Sequence, residues 1–381
     1  MKRRIFAILL LCVTWAGAEA AGAAKAAIEN TGADPSYTAT DFVRVPKFDA
    51  HVHANTGDHR FLDIATQDGF EILSINVDYP DFPPIDQQAH VAHTLQSAAP
   101  RRFHFITTFS MQGFGGARWT DSTIRHIDTE MGRGALGVKV WKNIGMVERD
   151  AQGQLIMLDD PRFDGVMRHL ETKGIPLIAH QAEPKNCWLP LEAMSTENDR
   201  SYFRDHPEYH MYLHPEQPSY DSLIAARDRF VARHPKLNFV GAHLASLEWS
   251  IDELARFLDT YPNATADLAA RMTQVQYQSK SDPDKVRRFF IKYQDRLLYG
   301  SDLTENPPDP RARAQNPPMN PAQFADEADA FWRSDWIYLA TADVQTINAL
   351  KTDVKGLALP KEAIDKIYYS NAKRVFARPL Q

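Results

Sequence analysis

Two cysteines are all that 381 residues contain, and one of them, Cys12, falls in a leader expected to be removed. With Cys187 left alone no intrachain disulfide can form. Stability must then come from a large buried core, which about 360 residues can supply. Positive charge is also in deficit, 43 Lys and Arg against 49 Asp and Glu for a formal charge of −6. That balance argues against nucleic acid or an anionic membrane as partner. Beyond the leader no apolar run is long enough to span a bilayer. The first strand candidate ends in histidines rather than in the Gly-rich turn that a nucleotide-binding open sheet would want. No repeat at a solenoid period is present.

What is present begins with "MKRR", "IFAILLLCVTWAGA" and "AEA", a basic head, an apolar core and a small-residue cleavage site. Residues 1–20 are therefore expected to be a signal peptide, and the mature protein to be periplasmic or secreted without a membrane anchor. Arg3 and Arg4 also fit a twin-arginine signal, but the very short head and strongly apolar core favour general secretion. Leu11 stands before Cys12 where a lipoprotein box needs a small residue. Residues 21–46, rich in Ala, Gly and Thr, read as a linker or arm, and residues 47–381 as the folded domain.

In that domain, short apolar runs alternate with amphipathic stretches. Strands are expected at 45–53, 70–77, 103–109, 136–141, 175–180, 237–243, 264–268 and 296–302. Helices read most clearly at 121–132, 160–173, 219–233, 249–260 and 283–293, with starts at Asp160-Pro161 and Ser250. Eight strands each followed by a helix predict an α/β fold, a (β/α)8 TIM barrel with long strand-to-helix loops. The longest excursion, about 181 to 218, is expected to form a lid or pocket wall.

"KFDAHVHAN" carries His51 and His53 two residues apart, so both imidazoles leave one face of a strand. Later strands likewise finish in polar groups after apolar runs: Lys139, His180, His243 and Asp302. In a barrel all of these converge at the C-terminal mouth, where active sites form. Together, "DAHVH", "GVKVW", "IAHQAEP", "VGAHLAS", "LLYGSD" and "IYYSNAKRVF" make the chain, from about Phe48 to Phe376, resemble the amidohydrolase superfamily and within it the amidohydrolase-2 group. The resemblance implies a barrel whose His51, His53, His180 and Asp302 hold one divalent ion, usually zinc. It implies that His243 is an acid/base or a ligand to a second metal. Nitrogen and carboxylate ligands suit Zn²⁺, which would activate water as a nucleophile, with Asp302 as its base.

Lys139 divides the reading. In two-metal members of the superfamily a lysine on the fourth strand is carboxylated and bridges the ions; the alternative, preferred here, is one metal and a lysine that meets substrate or a carboxylate. Arg271 could clamp a substrate carboxylate or form a structural ion pair. Trp141, Glu183 and Trp188, with Lys142, lie on mouth loops and could line a pocket for a cyclic or aromatic substrate. Asp49 is expected on the opposite face from the histidine pair, in a structural role. Cys187 reads as a buried thiol. His206, His210 and His214 read as loop histidines, since Pro207 and Pro215 break any helix through them.

The function expected is hydrolysis of a small-molecule amide, lactone or ester by metal-activated water. The alternatives are decarboxylation of an aromatic or unsaturated carboxylic acid on the same ligands, or a non-catalytic metal-binding barrel. The partner expected is a small-molecule substrate, and the resemblance is compatible with a homodimer.

Overall fold

A computed structural model describes residues 35–79, 82–307 and 320–377. The expected signal peptide and most of the expected arm lie outside these residues. The compact unit runs from Ser36 onward.

Nine parallel strands form one sheet: β1 (Lys47–Ala54), β2 (Phe70–Ile75), β3 (Phe103–Thr108), β4 (Val138–Val140), β5 (Leu177–Ala179), β6 (Phe239–Gly241), β7 (Ala264–Asp267), β8 (Leu297–Leu298) and β9 (Leu303–Glu305). Each of β1 to β7 pairs with the next, and β9 pairs with β1. The eighth expected strand, 296–302, is strand only at Leu297–Leu298, and β9 begins just beyond its expected end. The stretch between still bonds to β1, through Ala50 N–H to Tyr299 O at 2.9 Å and Asp302 N–H to His51 O at 2.7 Å, and this closes the barrel.

Strand alternation sorts the apolar side chains between two cores. Leu73, Ile75, Ile178, Val240 and Leu298 fill one, inside the barrel, while Ile72, Leu177, Ala179 and Phe239 join the helices in the other. Each buried side chain of this kind stabilises the fold by about 1.5–3 kcal/mol. The same alternation turns Lys139 and Asp267, each between outward neighbours, toward the barrel axis.

β1 breaks the rule. Phe48 and Ala50 belong to the inner core and Val52 to the outer one, yet His51 meets Asp267 and Asp302 in the mouth. A register shift between Asp49 and Val52 inserts the extra residue. Strict alternation would put Asp49 on the side of His51. The bulge instead turns its carboxylate outward, where it accepts from Trp332 Nε1 at 2.8 Å and Ser301 N–H at 3.0 Å. Burial pushes this carboxyl up to about 6 despite those bonds.

Helices start where the sequence offers caps. Ser250 and Asp282 accept from Glu253 and Lys285 N–H at the heads of Ile251–Thr260 and Pro283–Lys292. Asp160 caps a 3-10 turn that leads into Asp164–Lys173. Residues 36–46, within the described part of the expected arm, pack on the barrel: Phe42 is buried, and Trp336 Nε1 donates to Thr38 O at 3.0 Å. The excursion at 181–218 holds the helix Glu197–Asp205 and four 3-10 turns. Cys187 is buried there, its thiol 3.0 Å from Tyr209 O, and burial pushes the thiol up. His210 and His214 meet backbone carbonyls at Leu189 and Pro207. None of the described helices is long and apolar enough to cross a membrane.

Candidate metal centre and active site

Three of the expected ligands meet at the mouth. His51 Nε2 and His53 Nε2 lie 3.4 and 3.3 Å from the same oxygen, Asp302 Oδ1. The tautomers follow from the far side of each ring. His53 Nδ1 is 2.6 Å from Ile75 O, a carbonyl that can only accept, so Nδ1 carries the hydrogen. His51 Nδ1 is 2.8 Å from Asp267 Oδ2, which likewise takes its hydrogen. Burial, with the Lys139 charge nearby, lowers the His51 pKa and keeps the ring neutral. Nε2 of each ring therefore faces the carboxylate oxygen, that of His51 with a lone pair. A divalent cation would satisfy ligand atoms gathered in this way. The same three residues, with His51, His243 and Asp267 as a second trio, form the compact ligand groups among the described residues. The donor set thus fits a divalent ion.

Asp302 is the most exposed of the three, its side chain 29 % accessible, so substrate can reach it.

Asp267 was not expected at the site. Besides His51 it accepts from His243 N–H at 2.7 Å and Ala269 N–H at 3.2 Å. It orients one ligand ring and the backbone of the next candidate, as carboxylates behind metal-bound histidines do. Its signal was available: it ends the apolar run "ATAD" as the other candidates end theirs.

His243 sits on an unusual turn. It and the next three residues, Leu244, Ala245 and Ser246, all have left-handed φ, between 54° and 58°. For L-residues this costs about 1–2 kcal/mol each. The surroundings hold the turn in place. Arg227 donates to Ala245 O, Tyr220 O–H to Ser246 O, and Ser246 O–H to Ala182 O at 3.1 Å. Gly241 makes room for it, since a Cβ there would lie 2.5 Å from Ala245 Cβ. Strain of this kind gathers at functional sites. Here it ties His243 Nδ1 to Ala269 O at 2.9 Å and leaves Nε2 free for the mouth. Burial, helped by Arg271 and His51, holds the His243 pKa well below normal against Asp302 and Asp267.

The other expected residues divide. His180 stands edge-on to His243, ring centroids 4.1 Å apart, but its Nε2 faces Ala182 O at 3.1 Å and it is outside the compact ligand groups. Lys139 is buried with Nζ 3.5 Å from His51 Nε2; burial lowers its pKa to about 8, opposed by Asp267 and Asp302. Arg271 bonds Ala270 O, and its Nε is buried without a partner. Trp141 packs on Tyr79, centroids 4.1 Å apart, and edge-on to His180 at 6.4 Å. Glu183 pairs with Lys142. Trp188 is a packing residue of the wall: its indole donates to Pro218 O at 3.1 Å and meets Tyr220 edge-on. Tyr79, Phe82 and Tyr209, which also line the cavity beside the centre, were not foreseen.

Comparison with known proteins agrees with this geometry. No curated protein matches the chain. Among solved structures, an uncharacterized TIM-barrel protein from Bordetella bronchiseptica matches with a TM-score of 0.50 at 15 % identity, covering 88 % of this chain and 99 % of its own. A 2,6-dihydroxybenzoate decarboxylase from Rhizobium also matches with a TM-score of 0.50 at 15 % identity, covering 87 % and 98 %. At that identity the likeness carries the fold. The sequence profile of the amidohydrolase-2 family, described as amidohydrolase, matches residues 48–378. The chain belongs to the amidohydrolase-2 family of metal-dependent TIM-barrel proteins.

Proposed function

We propose that this protein hydrolyses a small-molecule amide, lactone or ester with one divalent ion, zinc, held by His51, His53 and Asp302 and completed by His180. The observation that carries the reading is the facing of two imidazole Nε2 atoms and a carboxylate oxygen around one point. Neutral nitrogen with carboxylate oxygen is a ligand set that suits zinc. When bound, the ion supplies a Lewis acid and lowers the pKa of water.

The protein's own groups then move the proton. Asp302, an ionised carboxylate with its side chain 29 % accessible, takes it from the attacking water as the oxygen bonds to the substrate carbonyl carbon. His243 is neutral and hydrogen-bonds Ala269 O through Nδ1–H, so Nε2 is an acceptor and can act as an acid only after receiving a proton. The proton collected by Asp302 passes through His243 Nε2 to the leaving nitrogen or oxygen as its bond to carbon breaks. Asp267 holds His51 and the His243 backbone in register. In a one-metal centre Lys139, buried with Nζ 3.5 Å from His51 Nε2, would meet substrate or a carboxylate.

Decarboxylation on the same ligands is the second reading. The buried, unpartnered Arg271 Nε favours it, since a guanidinium suits a substrate carboxylate. Oxygen from labelled water in the product marks hydrolysis; CO₂ release without label marks decarboxylation. Asp302→Asn and His180→Ala should each lose bound metal and turnover together. Full turnover by either variant in metal-free form would overturn the mechanism.

A further inference from the structure

We propose that the part of the substrate lying outside the reacting bond is a cationic, planar or aromatic group, recognised in the cavity beside the candidate metal centre. This rests on the hydrolase reading and extends it to a substrate class.

The cavity, about 580 Å³, lies against the loops after β2 and β4 and the 181–218 excursion, and is the size of a small-molecule site. Its wall reaches the metal ligands: Phe82 packs edge-on to His53 with centroids 5.0 Å apart, and Trp141 to His180. Tyr79 joins Phe82 and Trp141, at 5.5 and 4.1 Å, into one aromatic wall. Tyr202 and Tyr209 contribute a second, with rings nearly parallel at 8°. At the rim, Tyr202 is 46 % and Val147 60 % exposed, so the apolar lining runs out to solvent.

Charge decides what these rings would hold. The lining includes the carboxylates Asp78, Glu148, Glu183 and Glu208, and among its described residues Lys142 is the one lysine or arginine. Lys142 is already paired with Glu183. Among the described residues Asp78 accepts from Met111 N–H at 3.3 Å and Glu148 from Asn143 Nδ2 at 3.3 Å, and neither has a lysine or arginine partner there. Glu208 stands at the rim beside His206. The Lys142 ammonium lies 5.0 Å from the Trp141 ring centroid, so this wall can accommodate a cation over an aromatic face. An ammonium or guanidinium joined to a flat group would meet ring faces and unpaired carboxylates at once. A substrate acid placed here would meet like charge.

The test is equilibrium binding, by calorimetry, of benzyltrimethylammonium, benzyl alcohol and benzoate to the zinc-loaded full chain, repeated after chelation. The expected order is benzyltrimethylammonium at least about tenfold tighter than benzyl alcohol, with benzoate weakest. The near-isosteric pair Asp78→Asn with Glu148→Gln should remove most of that preference, and added salt should weaken it. Trp141→Leu should weaken all three ligands; should that variant fail to fold, the amide pair carries the test. Benzoate binding as tightly as the cation, or a preference unchanged in the amide pair, overturns the proposal. Because binding is read without turnover, failure of the hydrolase reading would show separately, as a retained cation preference in a protein that hydrolyses nothing.

Discussion

Replacing Asp267 with asparagine changes one atom and should reverse the tautomer of a metal ligand. At present Asp267 Oδ1 accepts two backbone N–H groups, from His243 at 2.7 Å and Ala269 at 3.2 Å, and Oδ2 accepts from His51 Nδ1 at 2.8 Å. Those two donors fix where the asparagine carbonyl must stand, so its NH₂ would face His51. His51 Nδ1 must then accept, which moves the ring hydrogen to Nε2, the atom aimed between His53 and Asp302. A protonated nitrogen cannot ligate. Losing a carboxylate of this kind typically costs about 10- to 100-fold in metal affinity, or roughly 1.4–2.8 kcal/mol. Zinc affinity measured by competition with a chromophoric chelator reads the effect directly. In a His51→Ala background, Asp267→Asn should add nothing, because its route runs through that ring. Wild-type affinity in Asp267→Asn, or full additivity with His51→Ala, would refute the reasoning.

Two further predictions concern the fold around the site. Gly241→Ala places a Cβ 2.5 Å from Ala245 Cβ and 2.9 Å from its Cα, forcing the left-handed turn to move. Urea unfolding should show a loss of about 1–3 kcal/mol, and turnover should fall with it because His243 rides on that turn; an unchanged midpoint would show that the turn adapts freely. At the other end of the barrel, burial would raise the Glu71 carboxyl, but bonds from His104, Lys373 and Tyr369 hold it at about 2. A carboxyl depressed in the folded state contributes stability that is present above its ordinary value of about 4.5 and lost as pH falls toward 2. Glu71→Gln should therefore be less stable at pH 7 and lose less between pH 5 and about 2 in unfolding experiments; parallel wild-type and variant profiles would contradict this.

The sequence determined a good deal by itself. Alternation and run length placed every strand of the barrel to within a few residues, because each is an apolar run of strand length bounded by a turn or cap. Polar residues closing those runs brought out His51, His53, Lys139, His243 and Asp302, since a barrel sends all its strand ends to one mouth. Local pattern could not reveal what depends on a second segment of chain. The bulge that turns Asp49 away from His51 is a matter of pairing register with β2. The left-handed turn at His243 exists because Arg227, Tyr220 and Ala182 hold groups that its own residues would otherwise leave strained and unpaired. Asp267 gained its role only when β7 came to lie near β1, and the aromatic and acidic wall only when three separate loops met. The strand ends were legible because they obey one-dimensional periodicity; the tautomers, the strained turn and the charge of the cavity were decided by contacts between residues far apart in the chain.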